Sequence, residues 1–197
     1  MAINIRPEIE SISEEIIATR QDFHKYPELA FNEHRSAKII AEKLISFGLD
    51  VETGVGKTGV VGVLNPNHSG KTIALRADMD ALPIQETGDV EYASQNDGIM
   101  HACGHDGHMA MLLGVAKVLS EKPNVINGTI KFIFQPAEEG YGGAKYMIED
   151  GVLEGVDEIY GAHLWNYQPH GTIGVKSGPI MAAADLFTIT IRGKGGH

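Results

Sequence analysis

The chain has 197 residues, with 16 Lys and Arg against 26 Asp and Glu, so its formal net charge is −10. This acidic balance argues against nucleic acid or an anionic membrane surface as the main partner, because both attract basic proteins. Hydrophobic residues make up 43% and charged residues 21%, as in an ordinary globular protein of one domain or slightly more, and no apolar run approaches the roughly 18 residues of a membrane span.

Hydrophobic periodicity predicts helices and strands that alternate along most of the chain. Isoleucines at helical spacing indicate an amphipathic helix over 8–24, between Pro7 and Pro27. Further helices are predicted over 33–47, 105–120 and 141–150, and strands over 59–65, 71–80, 129–135 and 158–166, with another short apolar run at 171–178. This order is typical of an α/β fold with helices on both faces of a sheet.

The end of the chain has a different pattern. Residues 185–192 alternate apolar and polar side chains, which predicts a half-exposed antiparallel strand. The sequence then stops at His197, before any partner strand for this segment. We therefore expect residues 1–183 to belong to one domain and residues 184–197 to open a second domain that is truncated.

Two features bear on the cellular compartment. Cys103 is the only cysteine in the sequence, so no intramolecular disulfide can form. The start, MAINIRPEIE, lacks the basic, apolar and small-residue regions of a secretory signal. Together they predict a reducing, cytoplasmic location.

Residues suited to metal binding or proton transfer lie where the predicted strands end. They are Asp78, Asp80, Glu138, Glu139 and His163, joined by Cys103 and His105 at the start of a predicted helix. Ligands of α/β proteins bind in the crevice at the carboxyl ends of the strands. We therefore expect these segments to converge on one pocket.

Cys103 and His105 are separated by one residue, so a thiolate and an imidazole can reach the same ion. Zn²⁺ and other borderline ions accept both ligand types. The spacing alone leaves another interpretation open, in which Cys103 is a small buried hydrophobic residue. In that case the neighbouring histidines, His101 and His108 among them, are capping or surface residues.

The acidic pairs offer two kinds of chemistry. Glu138 and Glu139 are adjacent at a strand end, so their side chains point in different directions. One carboxylate can then bind a metal ion while the other accepts a proton from water, a division used by metal hydrolases. A solvated acidic pair is the alternative. Asp78 and Asp80 share one side of an extended chain and offer either a ligand, a carboxylate that orients a ligating histidine, or a turn cap.

The histidines divide by context. His163 lies in a predicted strand that is otherwise apolar, which favours a ligand over a satisfied core histidine. Four others, His24, His34, His68 and His170, lie in helix or loop contexts, and we interpret them as structural or surface residues.

Four segments together resemble the M20 metallopeptidase family. They read RADMDALPIQE, MHACGHDGHM, FQPAEEG and GAHLWN, in this order, and the earlier HKYPELAFNEHRS fits the same family. The most similar branch is the amidohydrolases that cleave N-acyl amino acids, of the hippurate hydrolase and auxin-conjugate hydrolase type. The resemblance covers almost the whole chain. It implies a zinc-peptidase-like mixed sheet flanked by helices, followed by the start of an α+β lid or dimerisation domain.

The resemblance also implies a site for two divalent metal ions, Zn, Mn, Co or Ni. Carried over by motif, the ligands present in this chain are Cys103, His105, Glu139 and His163. Glu138 corresponds to the general base, and Asp80 to the acid that supports the metal centre. Other members of the family have a histidine ligand where this chain has Asp78, and Cys103 takes its place in the amidohydrolase branch. His197 resembles the lid histidine that reaches into a partner subunit's active site and steadies the substrate.

The activity implied is hydrolysis of the amide bond of an N-acetyl or N-benzoyl amino acid, by a homodimer or larger homo-oligomer. Members of the family are longer, and their last histidine ligand follows the lid. We therefore expect this fragment to hold the second ion poorly and to be inactive alone. A dimetal aminopeptidase or dipeptidase is the runner-up, and a non-catalytic metal-binding fragment is an alternative of another class.

Overall fold

The computed structural model describes residues 6–65, 69–183, 185 and 187–197. Its α-helices are α1 (Pro7–Glu10), α2 (Ser13–Lys25), α3 (His34–Ser46), α4 (His105–Ser120) and α5 (Gly143–Glu149), and a 3-10 helix covers Pro123–Val125. Its strands are β1 (Asp50–Val55), β2 (Gly59–Leu64), β3 (Lys71–Asp78), β4 (Gly128–Gln135) and β5 (Glu158–Gly161). None of the helices among these residues is long and apolar enough to cross a membrane.

The five strands form one mixed sheet in the order β1-β2-β4-β3-β5. β3 pairs in parallel with β4 and with β5, whereas β2 is antiparallel to β1 and β4. The carboxyl ends of β3, β4 and β5 therefore lie at the same edge of the sheet. The segments that follow Asp78, Gln135 and Gly161 meet there, as the sequence predicts.

Apolar side chains alternate between the two faces of the sheet and build two cores. On one face, Phe132 and Phe134 of β4 belong to a large core with α3 and α4, and α2 packs against α4 and adds Phe23 to the same core. On the other face, Ile133 packs in a smaller core with Met147 of α5. The predicted α/β class with helices on both faces is confirmed, although the two layers differ in size.

The predicted helix over 8–24 is wrong in one respect, because it is broken between α1 and α2. The hydroxyls of Ser11 and Ser13 donate hydrogen bonds to the carbonyls of Glu8 and Glu10, at 2.9 and 2.8 Å. Serine side chains compete for backbone groups in this way and favour turns over helix interiors. The isoleucine spacing continues across the break, so periodicity does not reveal it.

The strands differ from the sequence-based expectation in three places. β1 was not predicted, because its sequence DVETGV is largely polar and exposed at the sheet edge. The strand expected over 158–166 ends at Gly161, because the pairing of β5 with β3 stops at Arg76 and Gly161. The run at 171–178 forms no strand.

The chain divides into two units, Met1–Leu164 and Trp165–His197. In the second unit, residues 185 and 187–197 form no strand, in contrast to the strand predicted over 185–192, and residues 184 and 186 lie outside the described part. A strand needs a hydrogen-bonded neighbour, and the described part of this unit provides none. The domain boundary between 183 and 184 stays a prediction.

A buried ionic network joins α2 to the first turn of α4. His24 Nδ1 lies 2.7 Å from Asp106 Oδ2, and His24 Nε2 lies 3.2 Å from Glu86 Oε1. Arg20 Nε also contacts Asp106 Oδ2, at 2.8 Å. The hydrogen bond with Asp106 raises the pKa of His24, although burial opposes the shift. Burial would raise the pKa of Asp106, but the contact with His24 lowers it.

We expect the stabilisation from His24 to fall as the pH rises. Because folding raises the pKa of His24, its contribution is complete below the unfolded value of about 6.5 and is lost as the pH passes the folded value. Urea unfolding of the metal-free wild type and of His24→Gln should differ by about 1–3 kcal/mol near pH 5.5 and by less near pH 9. A gap that does not change with pH would mean that His24 contributes by packing alone.

Candidate metal centre

The predicted site residues come from three strand ends and one helix start. Asp78 is the last residue of β3, and Asp80 follows it closely. The segment 137–139 follows β4, and His163 lies two residues beyond β5. His105 is the first residue of α4. The parallel arrangement of β3, β4 and β5 thus places all of these residues at one edge of the sheet.

His105 lies at the centre of this cluster, and its side chain is fully buried. Its Nδ1 donates a hydrogen bond to the main-chain carbonyl of Asp80, at 2.8 Å. Its Nε2 has no hydrogen-bond partner among the described residues. The nearest carboxylate oxygens to Nε2 belong to Asp78 at 3.7 Å, Glu139 at 3.8 Å and Glu138 at 3.9 Å. A buried nitrogen that faces three carboxylates suits a divalent cation, which would satisfy the nitrogen and the acids together.

Possible ligand atoms around His105 form three overlapping groups. The groups are Cys103 with His105 and His163, Asp78 with His105 and His108, and His105 with Glu138 and Glu139. Within each group the ligand atoms lie within 4.8 Å of one another. In the first group, Cys103 Sγ lies 3.5 Å from His163 Nε2. The four predicted ligands are therefore brought together, while their roles stay predictions.

The electrostatics of the cluster also fit a cation. Burial, reinforced by the carboxylates of Glu139 and Glu138, raises the pKa of Cys103 to about 12. A divalent ion would reverse this effect, because a thiol that coordinates a metal loses its proton. The positive charge of a bound ion would thus balance the negative charges of the thiolate and the carboxylates in this cluster.

Glu138 and Glu139 differ in exposure as their adjacent positions predict. The Glu138 side chain is 42% exposed, and that of Glu139 is 25% exposed. Glu139 Oε1 is buried and has no hydrogen-bond partner in the described part of the chain, which suits a ligand. Burial and the charges of Glu139 and Asp78 raise the pKa of Glu138. A carboxylate with a raised pKa is a better proton acceptor, so Glu138 suits the role of base.

Asp80 holds both the two glutamates and His105 in place. Its Oδ1 and Oδ2 accept the main-chain N–H groups of Glu138 and Glu139, both at 2.9 Å. Its own carbonyl orients His105. Burial would raise the pKa of Asp80, but the His105 side chain and the two main-chain N–H groups lower it, so the carboxylate stays ionised. The contacts favour a role in positioning for Asp80.

Asp78 is already engaged by two other side chains. His108 Nδ1 donates to Asp78 Oδ1 at 2.6 Å, and Arg76 donates to Oδ2 at 2.7 Å. Burial would raise the pKa of Asp78, but His108 and Arg76 hold it well below its usual range. Of the roles that the sequence left open for Asp78, these contacts favour a carboxylate that orients a histidine.

The interpretation of His108 as a capping or surface residue is wrong, because its side chain is buried inside the cluster. Its Nε2 accepts the N–H of Leu164 at 2.9 Å, so the proton resides on Nδ1, which faces Asp78. His108 thereby fixes the residue next to His163. Its position three residues after His105 places both rings on one helix face, a spacing that identifies it in the sequence.

His163 lies in a different setting from the one predicted. The sequence places it inside a buried strand, whereas the structure places it in an exposed segment beyond β5. A core role for this histidine is therefore wrong. His197 belongs to the unit Trp165–His197, and its role in substrate binding stays a prediction.

A family model described as peptidase family M20/M25/M40 matches residues 74–195. The chain belongs to this family. The M20 chain is 50% identical over 196 residues to thermostable carboxypeptidase 2 of Saccharolobus solfataricus, a match that covers 98% of the chain and 50% of that protein. It is 49% identical over 190 residues to an N-acyl-L-amino acid amidohydrolase of Geobacillus stearothermophilus, covering 96% of the chain and 51% of that protein.

The fold of the M20 chain is also similar to solved structures. One is the YXEP protein of Bacillus subtilis, described as a dinuclear metal binding peptidase from the M20 family. The TM-score is 0.82 at 44% identity, and the match covers 86% of this chain and 48% of that chain. The M20 chain spans about half the length of the curated relatives it matches. The resemblance seen in the sequence is confirmed.

We expect Cys103→Ser to weaken the binding of Zn²⁺ or Co²⁺ by at least about tenfold, because a neutral hydroxyl is a poorer ligand than a thiolate for a borderline ion. Competition with a chromophoric chelator measures the affinity. Ala102→Ser, which adds the same hydroxyl at an exposed neighbouring position, is the matched control. If Cys103 only fills space, both variants will bind metal as the wild type does.

Proposed function

We propose that this chain is part of a metal-dependent amidohydrolase that cleaves the amide bond of N-acyl amino acids. The observation that carries the proposal is the buried Nε2 of His105, which faces three carboxylates. Possible ligand atoms of Cys103 and His163 lie within 4.8 Å of a ring nitrogen of His105. The amidohydrolase relative, at 49% identity, supports the substrate class.

Cys103, His105, Glu139 and His163 would hold the ion in this proposal. A bound divalent ion of this kind lowers the pKa of water and polarises the carbonyl of the amide. Glu138 accepts the proton of the attacking water and then donates it to the departing amine. Asp80 holds the main-chain N–H groups of both glutamates. The positions of the two glutamates are therefore set before substrate binds.

The proposal extends to the identity and number of the metal ions. A set of Cys, His and Glu ligands accepts Zn²⁺, Mn²⁺, Co²⁺ or Ni²⁺. The YXEP protein is described as dinuclear, which supports two ions per site in the whole enzyme. We propose that the second ion needs a further ligand besides Cys103, His105, Glu139 and His163. The homo-oligomeric state and the cytoplasmic location stay predictions.

A peptidase is the second candidate. The carboxypeptidase relative, at 50% identity, favours it as strongly as the amidohydrolase relative favours the first. The two activities share the hydrolysis of an amide bond and differ in the group on the carbonyl side of that bond. An N-acyl amino acid has no free α-amine, whereas an aminopeptidase or dipeptidase substrate has one.

The test is turnover of a panel of N-acetyl amino acids, N-benzoyl amino acids and dipeptides by the whole protein, with each of the four metals. We expect the N-acyl amino acids to be cleaved and the 197-residue chain alone to be much slower. Faster cleavage of dipeptides would favour the peptidase. No turnover with any metal would leave a metal-binding protein without activity and contradict the proposal.

A further inference from the structure

Glu33 is a buried carboxylate that lies outside the groups of possible metal ligands. It is fully buried immediately before α3. Its Oε2 accepts the hydroxyl of Thr58 at 2.5 Å, and its Oε1 accepts the main-chain N–H of Ala137 at 2.9 Å. One side chain thus joins the start of α3, the turn before β2 and the segment that leads to Glu138 and Glu139.

The segments that meet at Glu33 carry an uncommon backbone conformation. Among the described residues, three non-glycine residues have positive φ angles, Phe31 at 59°, Lys57 at 85° and Ala137 at 51°. Ala137 is bonded to Glu33 directly, and Lys57 precedes its other partner, Thr58. The Lys57 ammonium lies 3.8 Å from the centroid of the Phe31 ring. Such conformations are energetically unfavourable for residues other than glycine and persist where surrounding contacts impose them, often beside functional sites.

Two buried carboxylates hold three consecutive main-chain amides at this point. Glu33 binds the N–H of Ala137, and Asp80 binds the N–H groups of Glu138 and Glu139. The loop is closed from its other end by Gly143, whose N–H donates to the Ala137 carbonyl at 3.0 Å. A Cβ on Gly143 would lie 1.7 Å from the carbonyl oxygen of Pro136, so only glycine fits there.

We propose that Glu33 is a positioning residue for the metal centre: by holding the Ala137 amide, it imposes the left-handed turn that aims Glu139 at His105 and leaves Glu138 free for substrate. The inference rests on the proposed function, since it assigns Glu139 to the ion. Asp80 fixes the next two amides but makes no contact with that of Ala137. Without Glu33, Ala137 can relax to a negative φ, and that rotation turns the peptide that precedes Glu138.

The length of the Glu33 side chain decides this role. Glutamine has the same length. Its carbonyl oxygen can accept the hydrogen bond from the Ala137 N–H while its NH2 group donates to the Thr58 hydroxyl. Aspartate keeps the charge, but it is one methylene shorter, about 1.5 Å, and it cannot reach both partners. Burial raises the pKa of Glu33, although its hydrogen bonds with Thr58 and Ala137 oppose the shift.

The experiment is a Co²⁺ titration of the wild type and of E33Q, E33D, E33A and T58V, read by the visible absorption bands of bound Co²⁺ and by competition. The band shape reports the ligand geometry, which a loss of stability alone does not change. Thermal unfolding of the metal-free proteins is measured in parallel. T58V is the matched control, because it removes one contact of Glu33 and leaves the bond to Ala137.

We expect E33D and E33A to bind Co²⁺ at least about tenfold more weakly with an altered band shape, the size of effect seen when partners of metal ligands are removed. E33Q and T58V should stay within about threefold of the wild type and keep its spectrum. If E33A does not fold, the contrast between E33D and E33Q decides the matter. Wild-type affinity and spectrum in E33D would overturn the role of Glu33, as would equal losses in E33D and E33Q. A wild type that binds no Co²⁺ would instead contradict the proposed function itself.

Discussion

Glu138→Gln should lower the turnover of an N-acyl amino acid by at least about 100-fold while the metal content stays near that of the wild type. The substituted amide keeps the size of the side chain but cannot accept the proton of a water molecule. The structure supports this separation, since Glu138 is the more exposed of the two glutamates and has the raised pKa. Steady-state kinetics with metal analysis of the same preparation measures both quantities.

Glu139→Gln is the matched control for this experiment, because it makes the same chemical change one residue away. It should lower metal occupancy, since Glu139 Oε1 is the buried oxygen near His105. The two variants are therefore expected to separate catalysis from binding. If both keep full activity and full metal content, the roles assigned to the pair are wrong.

His105→Asn should weaken metal binding by about 100-fold or more with a limited loss of stability. His105 belongs to all three groups of possible ligands, so its Nε2 is the atom that the site can least replace. The asparagine amide can still donate to the carbonyl of Asp80, as Nδ1 of the histidine does, but it offers nothing in place of Nε2. Isothermal titration with Zn²⁺ and urea unfolding of the metal-free protein measure the two effects.

His101→Asn makes the same substitution four residues earlier, in the loop before α4, and serves as the control. His101 is buried, and neither of its ring nitrogens has a hydrogen-bond partner among the described residues. Burial lowers the pKa of His101 to about 4, so the ring is neutral. We expect this variant to keep its affinity for metal. A larger loss in His101→Asn than in His105→Asn would show that the ligand has been assigned to the wrong histidine.

The sequence predicts the parts of this fold that depend on local pattern. The apolar runs of β3 and β4 and the helix α4 appear where periodicity places them, because their buried faces set the spacing of their residues. The position of the site follows from them, since parallel strands bring their carboxyl ends to one edge. The edge strand β1 escapes prediction because its polar residues face solvent and only its pairing with β2 makes it a strand.

Residues that act through long-range contacts are the ones that sequence reasoning missed. Glu33 gives no sign of its importance in the sequence, because its partner Ala137 is 104 residues away. His108 has a detectable signal, its spacing from His105, but its role depends on Asp78 and Leu164. In both cases the sequence gives the residue type but does not indicate its hydrogen-bond partner. Partners so far apart in the chain are brought together only by the packing of the whole sheet.

X-ray absorption at the zinc edge tests the central claim most directly, with one equivalent of Zn²⁺ bound to the purified protein. The account predicts one sulfur ligand at about 2.3 Å and nitrogen or oxygen ligands at about 2.0–2.2 Å, with imidazole signals from His105 and His163. The sulfur signal should disappear in Cys103→Ser. A zinc ion with nitrogen and oxygen ligands alone, unchanged in Cys103→Ser, would contradict the account.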